Sequence, residues 1–220
     1  MSLVAVLPVK RFELAKSRLG YGGLRPADRL ALATGMLNDV LEALRRSRRV
    51  DDIVVVTSEP GAEVLARSYG AQSIADDPSG GHNGAVALGI AWALADGALQ
   101  VLVLPGDAPT LDPAELNALI DSGSDGPEVV IVPDRHGTGT NALLLSPPDV
   151  ITTSFGEGSR ERHERLAREA GATATIAEPR SLLLDVDTTD DLKALAARLA
   201  ELPRDVAPFT RTALSRCERP

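Results

Sequence analysis

The sequence predicts an α/β domain built on a mainly parallel sheet, and three observations support that fold class. Short apolar runs of strand length alternate with longer segments in which apolar residues recur at helical spacing. Several runs are uninterrupted, such as Val101–Leu104, which is typical of strands that helices cover on both faces. The 220 residues suffice for one core, so a single domain is expected over 1–202, followed by a weakly periodic tail over 203–220.

The first half of the chain is predicted to hold four strands and three helices. Branched residues favour a strand at Ile53–Thr57, and Pro26 with Asp28 is typical of the first turn of a helix. Gly70 follows the second helix, where glycine commonly ends a helix. In chain order the elements are a strand at Leu3–Leu7, a helix from Pro26, a strand at Ile53–Thr57, a helix at Pro60–Tyr69, a strand at Gln72–Ala75, a helix from Val86 to Leu94 and a strand at Val101–Leu104.

The second half is predicted to hold four strands and three helices. Asp112 before Pro113 favours a helix start. The short, glycine-containing connection at 134–141 predicts that the two strands it joins are partly antiparallel. In chain order the elements are a helix from Pro113, strands at Val129–Val132 and Ala142–Leu145, a helix at Ser159–Ala170, a strand at Thr173–Ala177, a strand at Leu182–Asp187 and a helix from Thr189.

Composition and charge exclude several classes of protein. The formal net charge of −8 argues against general nucleic-acid binding, because a phosphate backbone requires a basic surface. Apolar runs are shorter than a membrane span and the start lacks a basic signal-peptide region, so a cytoplasmic protein without membrane association is expected. The single cysteine, Cys217, allows neither an intramolecular disulfide nor a cysteine-based zinc site.

Carboxylates follow two of the predicted strands. Asp107 comes after Val101–Leu104, and Asp185 and Asp187 close the apolar run that begins at residue 182. Ligands of open parallel sheets bind beyond the carboxyl ends of the strands, and residues two apart on a strand face the same side. An oxygen-only set of donors predicts a Mg²⁺ or Mn²⁺ site. A turn at Asp107 and a lead into the next helix after Asp187 are the structural alternatives.

A basic loop follows the first strand. Lys10, Arg11, Lys16 and Arg18 lie close together in an otherwise acidic chain, at a position suited to holding a polyphosphate. A solvated surface loop is the alternative interpretation. The loop matches neither GxGxxG nor GxxxxGK[ST], so a dinucleotide-binding Rossmann domain and a P-loop NTPase are both disfavoured.

Three further segments place glycine and polar side chains at the ends of predicted elements. The loop at 76–84 offers Asp76, His82 and Asn83 to a base or an anion, although Asn83 is equally suited to capping the next helix. Segments 137–141 and 155–160 are suited to cradling phosphate or carboxylate, with a hairpin turn and an N-cap at Ser159 as the alternatives. His136 and His163 have no partner implied by spacing and are expected at the surface.

These motifs, taken in order, resemble those of a known family. They are Pro8-Val9-Lys10, Ala15-Lys16-Ser17-Arg18-Leu19, Gly106-Asp107, Gly137-Thr138-Gly139-Thr140, Phe155-Gly156 with Ser159, and Asp185-Val186-Asp187-Thr188. They resemble the CofC/FbiD family, the phosphoenolpyruvate or 2-phospho-L-lactate guanylyltransferases of coenzyme F-420 biosynthesis. The likeness runs from the first strand to about Leu192. In many members of the wider nucleotidyltransferase group, which includes molybdenum-cofactor guanylyltransferases, a glycine-rich loop stands in place of Pro-Val-Lys.

The resemblance implies a single-domain Rossmann-like nucleotidyltransferase fold that joins GTP to phosphoenolpyruvate and releases pyrophosphate. It implies that two Mg²⁺ ions bind Asp107, Asp185 and Asp187 and that Thr140, Gly156 and Ser159 contact the acceptor's phosphate and carboxylate. It also implies that Lys10, Lys16 and Arg18 lie at the GTP phosphates, where the two lysines favour pyrophosphate departure. The segment with Asp76, His82 and Asn83 would then lie near guanine.

Other functions remain open at this point. The same chemistry on 2-phospho-L-lactate, 3-phosphoglycerate or a molybdopterin would need the same residues, and an arginine- and alanine-rich, GC-rich bacterial composition favours phosphoenolpyruvate. A nucleotide-binding domain without catalysis is a rival from another class. A metal-dependent glycosyltransferase is disfavoured, because its Asp-x-Asp motif normally lies on one strand while these carboxylates are separated. The sequence is also compatible with a homodimer.

Overall fold

A seven-stranded sheet forms the centre of the protein. The computed structural model describes residues 2–12, 24–123 and 126–217. The strands are β1 (Leu3–Val9), β2 (Asp52–Thr57), β3 (Gln72–Ala75), β4 (Gln100–Val103), β5 (Glu128–Pro133), β6 (Thr140–Ser146) and β7 (Thr173–Ile176). Their spatial order is β3-β2-β1-β4-β6-β5-β7, so the predicted α/β class is confirmed.

Helices cover both faces of this sheet. They are α1 (Pro26–Arg46), α2 (Pro60–Ser68), α3 (Gly81–Ala95), α4 (Pro113–Asp121), α5 (Ser159–Glu169), α6 (Thr189–Glu201) and α7 (Pro208–Cys217). The predicted start of α4 is confirmed, because Asp112 accepts a hydrogen bond of 2.8 Å from the backbone N–H of Ala114. Within the described ranges, no helix is long and apolar enough to cross a membrane.

Strand β6 alone among these seven runs against the others. Strand β1 pairs in parallel with β2 and β4, and β5 pairs in parallel with β7, whereas β6 lies antiparallel between β4 and β5. The predicted antiparallel pair is therefore confirmed. The reversal has a geometric consequence: the beginning of β6 lies at the same edge of the sheet as the carboxyl ends of β1 and β4.

The core has two layers, one on each face of the sheet, because successive strand residues point to opposite sides. Leu3, Ala5 and Leu7 of β1 pack toward α1, α2 and α4. Val4 and Val6 pack toward α3 and α5. This two-sided burial explains why the parallel strands read as uninterrupted apolar runs.

The predicted strand at Leu182–Asp187 is wrong. The segment is irregular and lies outside the sheet, where the backbone N–H of Leu182 turns back to the carbonyl of Pro179 at 3.0 Å. Leu182 is buried against the layer beneath α1, and Val186 is buried in a separate cluster with α6. Its apolar residues are thus explained by packing against helices, without any strand pairing.

Two further predictions need correction. The weakly held tail predicted over 203–220 contains α7, a helix that packs against α1 and α6 in one apolar cluster. The loop predicted at 76–84 is shorter, because a 3₁₀ turn at Pro78–Gly80 leads directly into α3. His82 and Asn83 therefore lie in the first turn of a helix.

Candidate active site

A cavity of about 530 Å³ opens at the edge of the sheet where β1 and β4 end and β6 begins. It collects eight of the predicted site residues, which come from separate parts of the chain. These are Lys10, His82, Asp107, Thr140, Gly156, Ser159, Asp185 and Asp187. Asp76 and Asn83 do not line it, and Lys16 and Arg18 lie outside the described residues.

Asp107 is presented by a tight turn after β4. The turn passes through Gly106, where a Cβ atom would lie 3.2 Å from Leu37 Cδ1 and 3.3 Å from Val9 Cγ2. Glycine therefore lets the turn sit close against β1 and α1. The outcome is a carboxylate held directly at the end of a central strand, as the sequence predicts.

Asp185 and Asp187 are positioned from both ends of their irregular segment. Upstream, Asn141 of β6 donates a hydrogen bond of 2.9 Å from Nδ2 to the carbonyl of Leu182. Downstream, the carboxylate of Asp191 accepts hydrogen bonds from the backbone N–H groups of Asp187 and Thr188, at 3.1 and 2.7 Å. This capping box fixes the start of α6, so the predicted lead into a helix and the position on the cavity wall are both present.

Asp191 is an anchor of this segment and belongs to no predicted site. Burial acts to raise the pKa of its carboxyl, but hydrogen bonds from Thr188 and the Arg135 guanidinium, 2.9 Å away, outweigh burial and hold that pKa below its ordinary value. The anchor therefore stays ionised at neutral pH.

The carboxylates on the cavity wall suit a hard divalent cation in their chemistry. Asp107, Asp185 and Asp187 offer only oxygen donors, and the hydroxyls of Thr140 and Ser159 line the same space. Over the described ranges, however, no three His, Cys, Asp or Glu side chains form a ready-made metal cluster. The donor set therefore suits Mg²⁺ in its chemistry, as separate residues that line one cavity.

The charge of Lys10 acts on two half-buried groups, the imidazole of His82, which lines the cavity, and the carboxylate of Asp76, which does not. Burial lowers the pKa of His82, and the charge of Lys10 lowers it further. Burial raises the pKa of Asp76, as does the neighbouring charge of Asp77, while Lys10 opposes both effects. Oδ1 of Asp76 is buried and accepts no hydrogen bond from the described residues.

The loop before α5 is fastened to α3 by Asn83. Its Nδ2 donates to the carbonyl of Phe155 at 3.2 Å, and its Oδ1 accepts from the backbone N–H of Phe155 at 2.7 Å. Arg162 also donates to the carbonyls of Ser154 and Glu157, at 3.1 and 2.9 Å. Asn83 thus acts on the loop and does not cap α3.

This fastened loop carries two glycines with a left-handed or related backbone. Gly156 has φ of +124° and Gly158 has φ of +66°, conformations that L side chains rarely adopt. Gly156 faces the cavity, and α5 begins directly afterwards at Ser159. The N-terminus of α5, where the helix dipole is positive, therefore lies at the cavity.

His163 connects the hydroxyls of the site, and its predicted surface position is wrong. The residue is completely buried. Its Nδ1 lies 3.0 Å from Thr140 Oγ1, its Nε2 accepts from the backbone N–H of Ser154 at 3.0 Å, and Ser159 Oγ lies 3.2 Å from Thr140 Oγ1. Burial, followed by the charge of Arg162, lowers the pKa of His163 from 6.5 to about 4. One local signal could have indicated that His163 lies near the site. Ser159 and His163 are four residues apart and therefore share one face of α5.

The fold and the cavity agree with what comparison with known proteins finds. A family model described as guanylyl transferase CofC like matches residues 3–198. The chain belongs to the CofC family. The family resemblance predicted from the motifs is therefore confirmed, and so is the Rossmann-like nucleotidyltransferase type of fold.

Relatives in the CofC family carry guanylyltransferase names. A phosphoenolpyruvate guanylyltransferase from Conexibacter woesei is 50% identical over 220 residues, covering 100% of this chain and 98% of the relative. A 2-phospho-L-lactate guanylyltransferase from Methanothermobacter thermautotrophicus is 33% identical over 192 residues, covering 87% and 83%. A solved nucleotidyl transferase structure from the same archaeon has a TM-score of 0.65 at 19% identity, covering 91% of this chain and 98% of the other. This CofC-family protein is thus an enzyme, a nucleotidyltransferase, as predicted.

Proposed function

We propose that the protein transfers GMP from GTP to phosphoenolpyruvate and releases pyrophosphate, a step in coenzyme F-420 biosynthesis. The observation that carries the proposal is the 50% identity, over the full chain, with a protein named phosphoenolpyruvate guanylyltransferase. The cavity supports it by joining a cationic side at Lys10 to a hydroxyl- and glycine-lined side at Thr140, Gly156 and Ser159. Such an arrangement suits two polyanions that must meet.

The reaction needs alignment and charge neutralisation more than acid–base chemistry. An oxygen of the acceptor's phosphate forms a new bond to the α-phosphorus of GTP, and the bond from that phosphorus to the bridging oxygen of pyrophosphate breaks. The attacking oxygen is already ionised near neutral pH, so no side chain has to remove a proton. The uncharged state that burial favours for His82 and His163 is consistent with this assignment.

Each group of cavity residues has a proposed role. Thr140, Gly156 and Ser159 bind the phosphate and carboxylate of the acceptor, where the N-terminus of α5 adds a favourable dipole. Lys10, Lys16 and Arg18 bind GTP phosphates, and the two lysines also favour departure of pyrophosphate.

Asp76 is proposed to face the guanine base. The support is the family resemblance, which implies that the segment with Asp76, His82 and Asn83 lies near guanine, although Asp76 itself does not line the cavity. His82 lies nearer the cavity and lines it. Asn83 serves the site by holding the Phe155 loop.

Asp107, Asp185 and Asp187 are proposed to hold Mg²⁺, with two ions as the expected number. Bound there, magnesium would neutralise the phosphate charges and stabilise the charge that develops on the leaving pyrophosphate. The support is the oxygen-only donor set among the residues that line the cavity. We expect a cytoplasmic enzyme, since its nucleotide substrate is made there, and a homodimer stays a prediction.

A second acceptor, 2-phospho-L-lactate, is the main alternative. The archaeal relative named for that acceptor is 33% identical, and the two acids share a phosphate beside a carboxylate. The higher identity to the phosphoenolpyruvate enzyme favours phosphoenolpyruvate. Sequence distance alone therefore ranks the two acceptors, and an assay must decide between them.

The proposal is tested by a matrix of nucleotides and acceptors. The purified protein is incubated with Mg²⁺, each of the common NTPs, and phosphoenolpyruvate, 2-phospho-L-lactate or 3-phosphoglycerate. Pyrophosphate release and product mass are measured. GTP with phosphoenolpyruvate should give the fastest release and the mass of a guanosine-diphosphate-linked enolpyruvyl product. Absence of release for every pair would refute the proposal.

The metal assignment is tested in the same assay with Asp107→Asn. We expect this change to lower turnover by roughly 10²- to 10³-fold, since it removes an anionic ligand from the reacting centre. Asp149→Asn is the matched control, because Asp149 is exposed in a turn after β6, at the opposite edge of the sheet. Equal rates in the two variants would contradict the metal assignment.

A further inference from the structure

The hydroxyls that face the proposed acceptor share one buried neighbour. His163 is inaccessible to solvent and lies against Thr140 through Nδ1, while Thr140 lies against Ser159. Both hydroxyl residues line the cavity, and His163 does not. It therefore acts on a ligand only through neighbouring residues, which are the hydroxyl pair and the ring of Phe155.

We propose that His163 is a positioning residue that sets the direction of hydrogen bonding in the Thr140–Ser159 pair, so that the pair offers an O–H donor to the anionic acceptor. The inference rests on the proposed function, because it takes the acceptor's phosphate or carboxylate as the group that receives this donor.

The first step is the tautomer of the imidazole. Nε2 lies 3.0 Å from the backbone nitrogen of Ser154, whose N–H can only donate, so Nε2 must be the acceptor. In a neutral imidazole the proton then resides on Nδ1. Nδ1 consequently donates to Thr140 Oγ1 across the 3.0 Å contact.

The second step is the charge of the ring. Protonation would place an N–H at Nε2 directly against the N–H of Ser154. Burial, followed by the charge of Arg162 on the same helix, keeps the pKa of the ring near 4. The imidazole is therefore neutral at pH 7, with its proton on Nδ1.

The third step counts the hydroxyl protons. Thr140 and Ser159 have one each, and their mutual hydrogen bond of 3.2 Å uses one of the two. Because His163 donates to Thr140, the other hydroxyl proton has no partner in this chain of bonds and points to the ligand. With the opposite tautomer, Thr140 would donate to the ring and Ser159 to Thr140. The two hydroxyls would then present only oxygen lone pairs to the anion, and no O–H donor.

Two substitutions separate this role from simple packing. In His163→Asn the amide Nδ2 takes the place of ring Nδ1, so the donor to Thr140 is kept and the acceptor for Ser154 is lost. In His163→Gln the terminal oxygen takes the place of Nε2, so the bond from Ser154 is kept and the donor to Thr140 is lost. Both remove the ring that packs edge-on against Phe155, at 5.1 Å between centroids.

The variants are compared by steady-state kinetics with GTP and phosphoenolpyruvate, after thermal unfolding shows that both are folded. We expect His163→Gln to raise the KM for phosphoenolpyruvate by about ten- to hundred-fold, as for a lost hydrogen bond to a charged group, with the KM for GTP unchanged. His163→Asn should stay near the wild-type acceptor KM. Equal effects of the two variants, or equal effects on both substrates, would overturn the proposal.

A measurement on the wild-type protein keeps this test apart from that of the proposed function. Nitrogen chemical shifts of the His163 ring, in protein labelled with ¹⁵N-histidine, report the tautomer without any turnover. The expected result at pH 7 is a neutral ring protonated at Nδ1, with and without added phosphoenolpyruvate. A ring protonated at Nε2 would overturn the inference even in an active enzyme. An inactive wild-type protein with the expected ring would instead refute the proposed function.

Discussion

His163 links the folding of this protein to pH through a single side chain. Its pKa is about 4 in the folded protein, because the ring is buried and lies beside Arg162, against an ordinary value of 6.5. Between these two pH values the unfolded chain binds a proton that the folded chain does not. The free energy of unfolding therefore falls as the pH is lowered from 6.5 toward 4.

We expect this histidine to account for a loss of roughly 2 kcal/mol in the free energy of unfolding between pH 7 and pH 5. Urea unfolding of the wild type and of His163→Asn at both pH values measures it, since the variant lacks the titrating group. The variant should lose less stability on acidification than the wild type does. Parallel losses in both proteins would show that the pKa of the ring is the same in the folded and unfolded states, which would contradict the prediction.

Single residues at strand ends were predictable, and residues that act across elements were not. Asp107 follows an unmistakable buried strand, so sequence order alone places it at the cavity. His163 depends on Thr140 in β6 and on Ser154 in a loop, and only the fold brings those partners to one ring. Asn83 has the same difficulty, because its partner Phe155 lies 72 residues away.

At the scale of elements, α3 lies unusually close to the sheet at Gly89. A Cβ atom there would collide with Val6 Cγ1 and would lie 3.2 Å from Val56 Cγ2. This close approach is a packing requirement, because the backbone at Gly89 is ordinary helix. It also sets the depth at which α3 presents His82 and Asn83 in its first turn.

We expect Gly89→Ala to lower the free energy of unfolding by about 1–3 kcal/mol, as overpacking of a core does. Gly84→Ala on the same helix is the matched control, because a Cβ at Gly84 meets nothing within 4 Å. The control should be neutral or raise stability by roughly 0.5–1 kcal/mol, through helix propensity. Chemical unfolding of the two variants decides, and similar stabilities would contradict the packing argument.

Elements were predicted well where their own residues determine them. The caps of α4 and the branched residues of β2 are local signals, and both elements form as expected. The strand predicted at Leu182–Asp187 was wrong because buried residues give an apolar pattern whether or not they form a strand. Its backbone is anchored by Asn141 and Asp191, which are not part of the pattern.

At the scale of the whole molecule, two elements far apart in the chain meet where α7 docks on α1. Asp39 of α1 accepts hydrogen bonds from the backbone N–H groups of Phe209 and Thr210, at 3.1 and 2.7 Å. Gly35 allows the approach, since a Cβ there would lie 3.0 Å from the carbonyl oxygen of Phe209. Burial raises the pKa of Asp39, which these hydrogen bonds partly offset.

We expect Asp39→Ala to lower the free energy of unfolding by about 2 kcal/mol, because two buried N–H groups at the start of α7 lose their acceptor. Hydrogen exchange should quicken at 208–217 before it quickens in the sheet. Arg46→Ala, an exposed change on the same helix, is the control and should leave both measurements unchanged. Unchanged exchange at 208–217 in the Asp39 variant would show that α7 is held by apolar packing alone.

The helix α7 also explains why the end of the domain could not be predicted. Its buried residues include Thr210 and Ala213, which have little hydrophobic character of their own. What fixes the helix is a carboxylate 170 residues earlier in the chain. The residues around 208–217 give no indication of such a long-range contact. The alternation of strands and helices, in contrast, can be predicted from local apolar patterns along the chain.

The proposed acceptor-binding residues are separated in the sequence from the other residues of the site, and they begin with the reversed strand β6. Thr140, Gly156, Ser159 and His163 all fall within residues 140–163, whereas Lys10, Asp76 and Asp107 come earlier and Asp185 and Asp187 come later. Under the proposed function, residues 140–163 determine the preference for one phosphorylated acid over another. Exchanging this one segment between family members should then transfer acceptor preference and leave the proposed nucleotide-binding residues unchanged.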